Sequence, residues 1–279
     1  MDSWSYIQLG KLDLLVLICI LVLLLATVIF IILTLLSRNR KIRRDIFLTR
    51  NTVHIDATLF SVAFDGKRIR DFKEDPEFSR NWKRRIYREQ FLAKLIKLHQ
   101  LYGGEIALNL QKCYKESGLI QLSFEKIRSR RWHLKCAGIQ ELSEMEVKKA
   151  IPIIREHTRS KNPTVKMVAL IEVIHLKGLK GLWLLKDYED TLDDWIQLNL
   201  LESIKAANTA DVPDFGFLLK AKNDSIVVFG LRLLSMFHQS QHLKVVRSLT
   251  KSPSRQISRE AAKTFEKLSV TGGLLSDHE

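Results

Sequence analysis

The chain has 279 residues, 45 Lys/Arg against 31 Asp/Glu for a net charge of +14, and 46% apolar residues. That balance excludes a disordered tail and a disulfide-stapled mini-protein. Its 12 glycines and 5 prolines are too few for a collagen-like or turn-dense all-β chain and favour long helices. The three cysteines, Cys19, Cys113 and Cys136, form no C-x-x-C pair, which fits a reducing compartment.

Residues 14–36 are the first predicted element, 23 residues without a charge. As a helix they extend roughly 35 Å, enough to cross a ~30 Å hydrocarbon core with some tilt. A cleavable signal peptide would have a basic leader and a shorter apolar stretch; here Asp2, Lys11 and Asp13 precede the run, and Arg38 follows it almost directly. The reading is therefore a retained transmembrane helix. Arg38, Arg40, Lys41, Arg43 and Arg44 come next, opposed only by Asp45. Basic flanks stay cytoplasmic, so residues 1–13 are expected outside and the rest inside the cell membrane, with the five cations against anionic headgroups. Trp4 and Tyr6 suit the outer interface.

Residues 37–75 read as a basic juxtamembrane region. Within it Val53, Ile55, Leu59, Phe60, Val62 and Phe64 keep no clean period, so short strands and helix pieces both fit. Asp75-Pro76-Glu77 is a helix start. From Phe78 and Trp82 through Ile86, Leu92, Leu95, Ile96, His99 and Tyr102 the spacing predicts one long basic helix, ending at Gly103-Gly104. Residues 76–130 are thus that helix and an atypical leading repeat. Residues 1–135 hold 25 Lys/Arg and 13 Asp/Glu, whereas residues 136–279 hold 20 and 18. A basic excess concentrated beside an apolar span suits anionic lipid better than it suits nucleic acid.

From residue 131 to 268 a period of about 31 residues recurs. Its centres are Ala137, Ala169, Leu200, Gly230 and Ala261, mostly small. Four residues before stand His133, Val165, Ile196, Ile226 and Ile257; four after stand Glu141, Val173, Ile204, Leu234 and Phe265. Such an i, i+4, i+8 stripe is one helix face pressed on a neighbour. Polar start signals precede the later stripes, at Asn162-Pro163-Thr164, Asp193-Asp194, Asn223-Asp224-Ser225 and Ser252-Pro253-Ser254. Between stripes lie second apolar segments with Ile153-Ile154, Leu184-Leu185, Leu218-Leu219 and Val245-Val246. Each unit is a helix-turn-helix that hides its apolar face only by stacking. One last helix reaches Gly272-Gly273, and residues 269–279 form a polar tail.

These residues resemble HEAT repeats, through the Asn/Asp start, the aliphatic residue followed by a polar or basic one (Val165-Lys166, Ile196-Gln197, Ile257-Ser258) and the central small residue. The resemblance implies an all-α chain: an N-terminal transmembrane helix followed by a cytoplasmic HEAT-like α-α superhelix. The arrangement is similar to bacterial single-pass membrane proteins with a HEAT domain. That likeness implies a protein partner such as a membrane glycosyltransferase or a signalling assembly.

No nucleophile motif, phosphate loop or H-E-x-x-H occurs, and no cofactor is implied. His238 and His242 are four apart without a third ligand nearby. The acids at 187–194 lack the alternation and central glycine of a calcium loop. Lys177-Gly178-Leu179-Lys180-Gly181 reads as a hairpin turn, and Trp132, Trp183 and Trp195 as core or groove wall. After the four second-segment pairs stand Arg155, Lys186, Lys220 and Arg247, a ladder that is either a solvated face or a basic groove for an acidic segment. The expected function is a non-enzymatic membrane-tethered scaffold. A nucleic-acid-binding helical repeat and an enzyme on a HEAT-like fold are the alternatives.

Overall fold

The computed structural model describes residues 3–206 and 212–276; within its helices the side chains of residues 3–13, Arg40, Arg44, Asp187, Ser203, Lys205, Ala206 and residues 270–276 lie outside the description. The described residues are helical, with no strand among them. Two compact units divide the chain, Met1–Lys94 and Leu95–Glu279.

In the first unit, α1 (Ser3–Phe64) is one helix of 62 residues. It is long and apolar enough to cross a membrane, with an 18-residue window of mean hydropathy 3.6 and none of that window buried. The same helix continues through the juxtamembrane region, where the sequence left strand and helix open. A buried stripe begins there at Asn51 and continues through Ile55, Thr58, Leu59, Val62 and Ala63, which is helical spacing. Two of its members are polar, while Val53, Phe60 and Phe64 are apolar and exposed, so hydropathy alone hides the period. Asn51 and Thr58 satisfy themselves on the carbonyls four residues back, Phe47 and His54, at 2.7 and 2.8 Å.

The long basic helix predicted from Asp75 to Gly103 is instead two, α2 (Pro76–Trp82) and α3 (Arg85–Leu101). The Arg84 amide donates to Asn81 O at 2.9 Å to close the turn between them. The cause is aromatic packing. Phe78 and Phe91 would lie about 20 Å apart on a straight helix. Folded back, their rings sit 6.4 Å apart, with Trp82 stacked on Phe78 at 5.0 Å and edge-on to Phe91 at 5.2 Å. Asp75 caps α2 through the Glu77 amide at 2.8 Å.

The second unit contains the rest of α3, then α4 (Gly104–Glu116), α5 (Leu119–Ile127), α6 (Trp132–Glu144), α7 (Ile151–His157), α8 (Pro163–Lys177), α9 (Asp194–Ala206), α10 (Asp224–Met236), α11 (Leu243–Leu249) and α12 (Arg255–Ser276). Between them run 3-10 segments, chiefly Gly178–Asp187 and Phe215–Lys220. α6 packs on α5 and α8, and α8 also meets α7, the 178–187 segment and α9. The 215–220 segment packs on α10, and α10 and α11 both pack on α12.

Val165, Ile196, Ile226 and Ile257 are all buried, as are Ala169, Leu200 and Ala261. Polar contacts join positions about one repeat apart: Ser143 to His175, Leu192 N to Ser225, Gln197 to Arg232 and Leu231 O to Thr264. Asn162, Asp193 and Asn223 accept from the Val165, Ile196 and Ser225 amides, starting α8, α9 and α10 where the sequence signals stand.

In the first repeat the structure uses a different register. His133 is exposed and Ala137 half-buried, while Gly138 and Leu142 are buried. Gly138 sits where a Cβ would come within 2.6 Å of Ile127 N and 2.7 Å of Ser123 O, so α6 crosses α5 backbone to backbone. At the C-terminal end, α12 runs on through Gly272-Gly273 to Ser276, and 277–279 lie outside the described residues.

Candidate functional site

An open concavity of about 960 Å³ in the second unit lies between α7 and the 178–187 segment, over α8. α7 supplies Pro152, Arg155 and Glu156, with Thr158 and Arg159 just beyond its end; α8 supplies Lys166, Leu170 and Lys177. The wall opposite holds Lys180, Trp183, Leu184, Tyr188 and Glu189. Five cations thus face two carboxylates around an aromatic floor.

Trp183 is the centrepiece. It is 53% exposed, far more than a core tryptophan, although one face of its indole is covered by Phe217 at 4.0 Å centroid separation and 8° between planes. Stacking holds the ring while leaving its other side open. Lys166 is fixed by an ion pair to Asp190, and its ammonium lies 5.5 Å from the centre of the Tyr188 ring. Burial, reinforced by the neighbouring Asp190, pushes the Tyr188 phenol up to about 12, so it remains a neutral hydrogen-bonding group. Asn223 donates to the carbonyls of Tyr188, Glu189 and Asp190 at 3.3, 3.3 and 2.7 Å, tying this wall to the start of α10.

Of the four ladder residues, Arg155 lines this groove. Lys186, Lys220 and Arg247 are exposed at the ends of the 178–187 segment, the 215–220 segment and α11, and none is among the residues lining it. Arg159, Lys177 and Lys180 belong to the groove without having been assigned to it from sequence, and Trp183, read as core or groove wall, stands in its wall. For all but Arg159 the signal was a basic turn, Lys177 to Gly181, followed two residues on by an aromatic. Gly181 allows that turn to press on α8, since a Cβ there would lie 2.7 Å from Ile174 Cα.

On α1, Arg38, Lys41 and Arg43 are exposed just beyond the apolar run; the side chains of Arg40 and Arg44 lie outside the described residues. The acids at 190–194 serve as helix start and ion pair: Asp193 caps α9 and Asp190 holds Lys166. His242 Nε2 donates to the Asp214 carboxylate at 2.5 Å, while His238 is exposed at φ 52°. Among the described residues no group of three His, Cys, Asp or Glu is placed to hold a metal ion.

One grouping has the ingredients of a nucleophilic relay, Ser143, His175 and Glu172. Ser143 Oγ is 3.0 Å from His175 Nδ1, and Glu172 Oε2 is 3.8 Å from the same nitrogen. A relay needs the hydroxyl and the acid on opposite ring nitrogens. With both on Nδ1 and Ser143 wholly buried, the trio instead joins α6 to α8. Burial raises the Glu172 carboxyl above the usual range, against the pull of Ser143 and His175. The chain matches no protein-family model, no curated protein and no solved structure.

Proposed function

We propose that the protein is a non-enzymatic, membrane-tethered scaffold that binds an acidic, aromatic-bearing segment of a partner protein at the cytoplasmic face. In this reading residues 14–36 span the bilayer with the N-terminus outside. The hairpins from α6 onward stack as a HEAT-like solenoid, a reading supported by hydrogen bonds between positions about one period apart. The observation that carries the reading is the groove in which Arg155, Arg159, Lys166, Lys177 and Lys180 surround the half-open Trp183. Tethering confines such a groove to the membrane plane and raises its effective concentration toward membrane-bound partners, a glycosyltransferase being one class.

The same cations and indole would also suit a single strand of nucleic acid. Glu156 and Glu189 in the lining favour a peptide, whose backbone N–H groups donate to carboxylates, over a phosphodiester, which carries only acceptors. The test is a titration of the full chain in mild detergent with acidic, neutral and basic peptides bearing one phenylalanine, and with single-stranded DNA and RNA, following tryptophan emission. The acidic peptide is expected to bind in a salt-sensitive way, and Arg155→Glu with Arg159→Glu and Lys177→Glu to weaken it about tenfold or more. Equal binding by the triple variant removes the groove reading. Preference for DNA or RNA replaces the partner class.

A further inference from the structure

Within the first unit, contacts fix the sense in which each helix runs beside α1. α2 descends it: Asp75 meets His54 at 3.1 Å, and six residues on Asn81 donates to Asn51 at 2.8 Å. α3 climbs again: Gln90 reaches Leu48 O and Thr52, and Lys94 reaches Thr52 O and Asp56. The turn joining them is therefore the part of this hairpin nearest the apolar run. Its Arg84 guanidinium lies 4.9 Å from the centre of the Phe47 ring, while Ile46, the next residue toward the apolar run, is 62% exposed.

That turn reads Arg80-Asn81-Trp82-Lys83-Arg84-Arg85, four cations and no acid in six residues. Arg80, Lys83, Arg84 and Arg85 are exposed, while Trp82 and Asn81 anchor the turn from inside. Arg85 is engaged by Glu89 at 2.9 Å.

We propose that this turn is a second lipid-binding site, separate in sequence from the basic run after the apolar segment, which docks on anionic phospholipid headgroups. It rests on the reading of residues 14–36 as a membrane span. Phe47 stands 11 residues past Leu36, about 16 Å along the helix axis. Headgroups fill about 5–8 Å of that distance. What remains is close to the reach of an arginine side chain plus a Debye length of about 8 Å. Helix side chains lean toward the N-terminus, so Phe47 carries Arg84 further toward the bilayer. A tilt of about 20°, ordinary for a single span, brings a turn held about 10 Å to one side another 3 Å or so closer. Anionic lipid thus selects the tilt that lowers the α2–α3 turn.

The test places the full chain in nanodiscs of neutral lipid alone or with anionic lipid, and measures amide hydrogen exchange across residues 80–88. Expected is exchange slowed about fivefold by anionic lipid, reversed at high salt. Arg80→Gln with Lys83→Gln and Arg84→Gln is expected to abolish the difference. The charge-conserving set Arg80→Lys, Lys83→Arg and Arg84→Lys is expected to keep it, which separates lost charge from lost folding. Insertion with equal exchange in both lipids overturns the proposal and leaves the span intact, as does protection reproduced in neutral discs by inorganic phosphate. Failure to insert at all overturns the span, and the proposal with it.

Discussion

Two small details govern how α6 meets its neighbours: a missing side chain at Gly138 and a hydroxyl at Ser143. Gly138 carries more. A Cβ there would press on backbone atoms of α5, which cannot rotate away as a side chain can. Gly138→Ala is expected to lower stability by about 1–3 kcal/mol in a denaturant melt of the full chain in detergent. Ala137→Gly, one residue away on a half-buried position, is expected to cost only the helix-propensity difference of about 1 kcal/mol. Reversed magnitudes would restore the register that the sequence suggested. That register went astray because Ala137 and Gly138 are both small and adjacent, and only the approach of α5 distinguishes them. The cysteines were easier to read: Cys113 and Cys136 are buried free thiols, the former pushed up to about 12 by burial.

Helix starts were the most legible elements, since capping is local chemistry written in two or three residues. Asn162 and Asn223 both cap, yet they are not equivalent. Asn162 satisfies the Val165 amide, whereas Asn223 also binds three successive carbonyls of the groove wall. Asn162→Ala is expected to cost about 1 kcal/mol. Asn223→Ala should cost more, about 2 kcal/mol, because it also gives up the hydrogen bonds that hold the groove wall. The paired melts check the order. Asn223→Ala should further speed hydrogen exchange of residues 186–192 selectively, as the wall loosens. The α2–α3 break was not legible, because the partners that force it, Phe78 and Phe91 with Asn51 and Asn81, are brought together only by the fold. The groove was half legible for the same reason. Arg155 sits at a repeat position, but Lys177, Lys180 and Trp183 converge with it through a turn whose shape no periodicity encodes.

For the molecule as a whole, the charge is unevenly spread and the apolar run carries none of it. On the proposed topology the full chain should sediment with membranes and resist alkaline carbonate, and removal of residues 1–37 should leave only a peripheral attachment that high salt or carbonate releases. A protease added outside intact cells should spare the region after Arg38. Replacing Arg38, Arg40, Lys41, Arg43 and Arg44 with Gln should render part of the population inverted and cleavable. Release of the intact chain by carbonate would count against the span.

α1 has no joint between its uncharged portion and the stripe from Asn51 to Ala63 that the α2–α3 hairpin grips. Its 62 residues form a shaft of about 93 Å, with each turn bonded to the next. A swivel or a plunge imposed at one end therefore arrives at Ile55 and Leu59 as the same swivel or plunge. A loop at this place would absorb such motion; an unbroken rod delivers it.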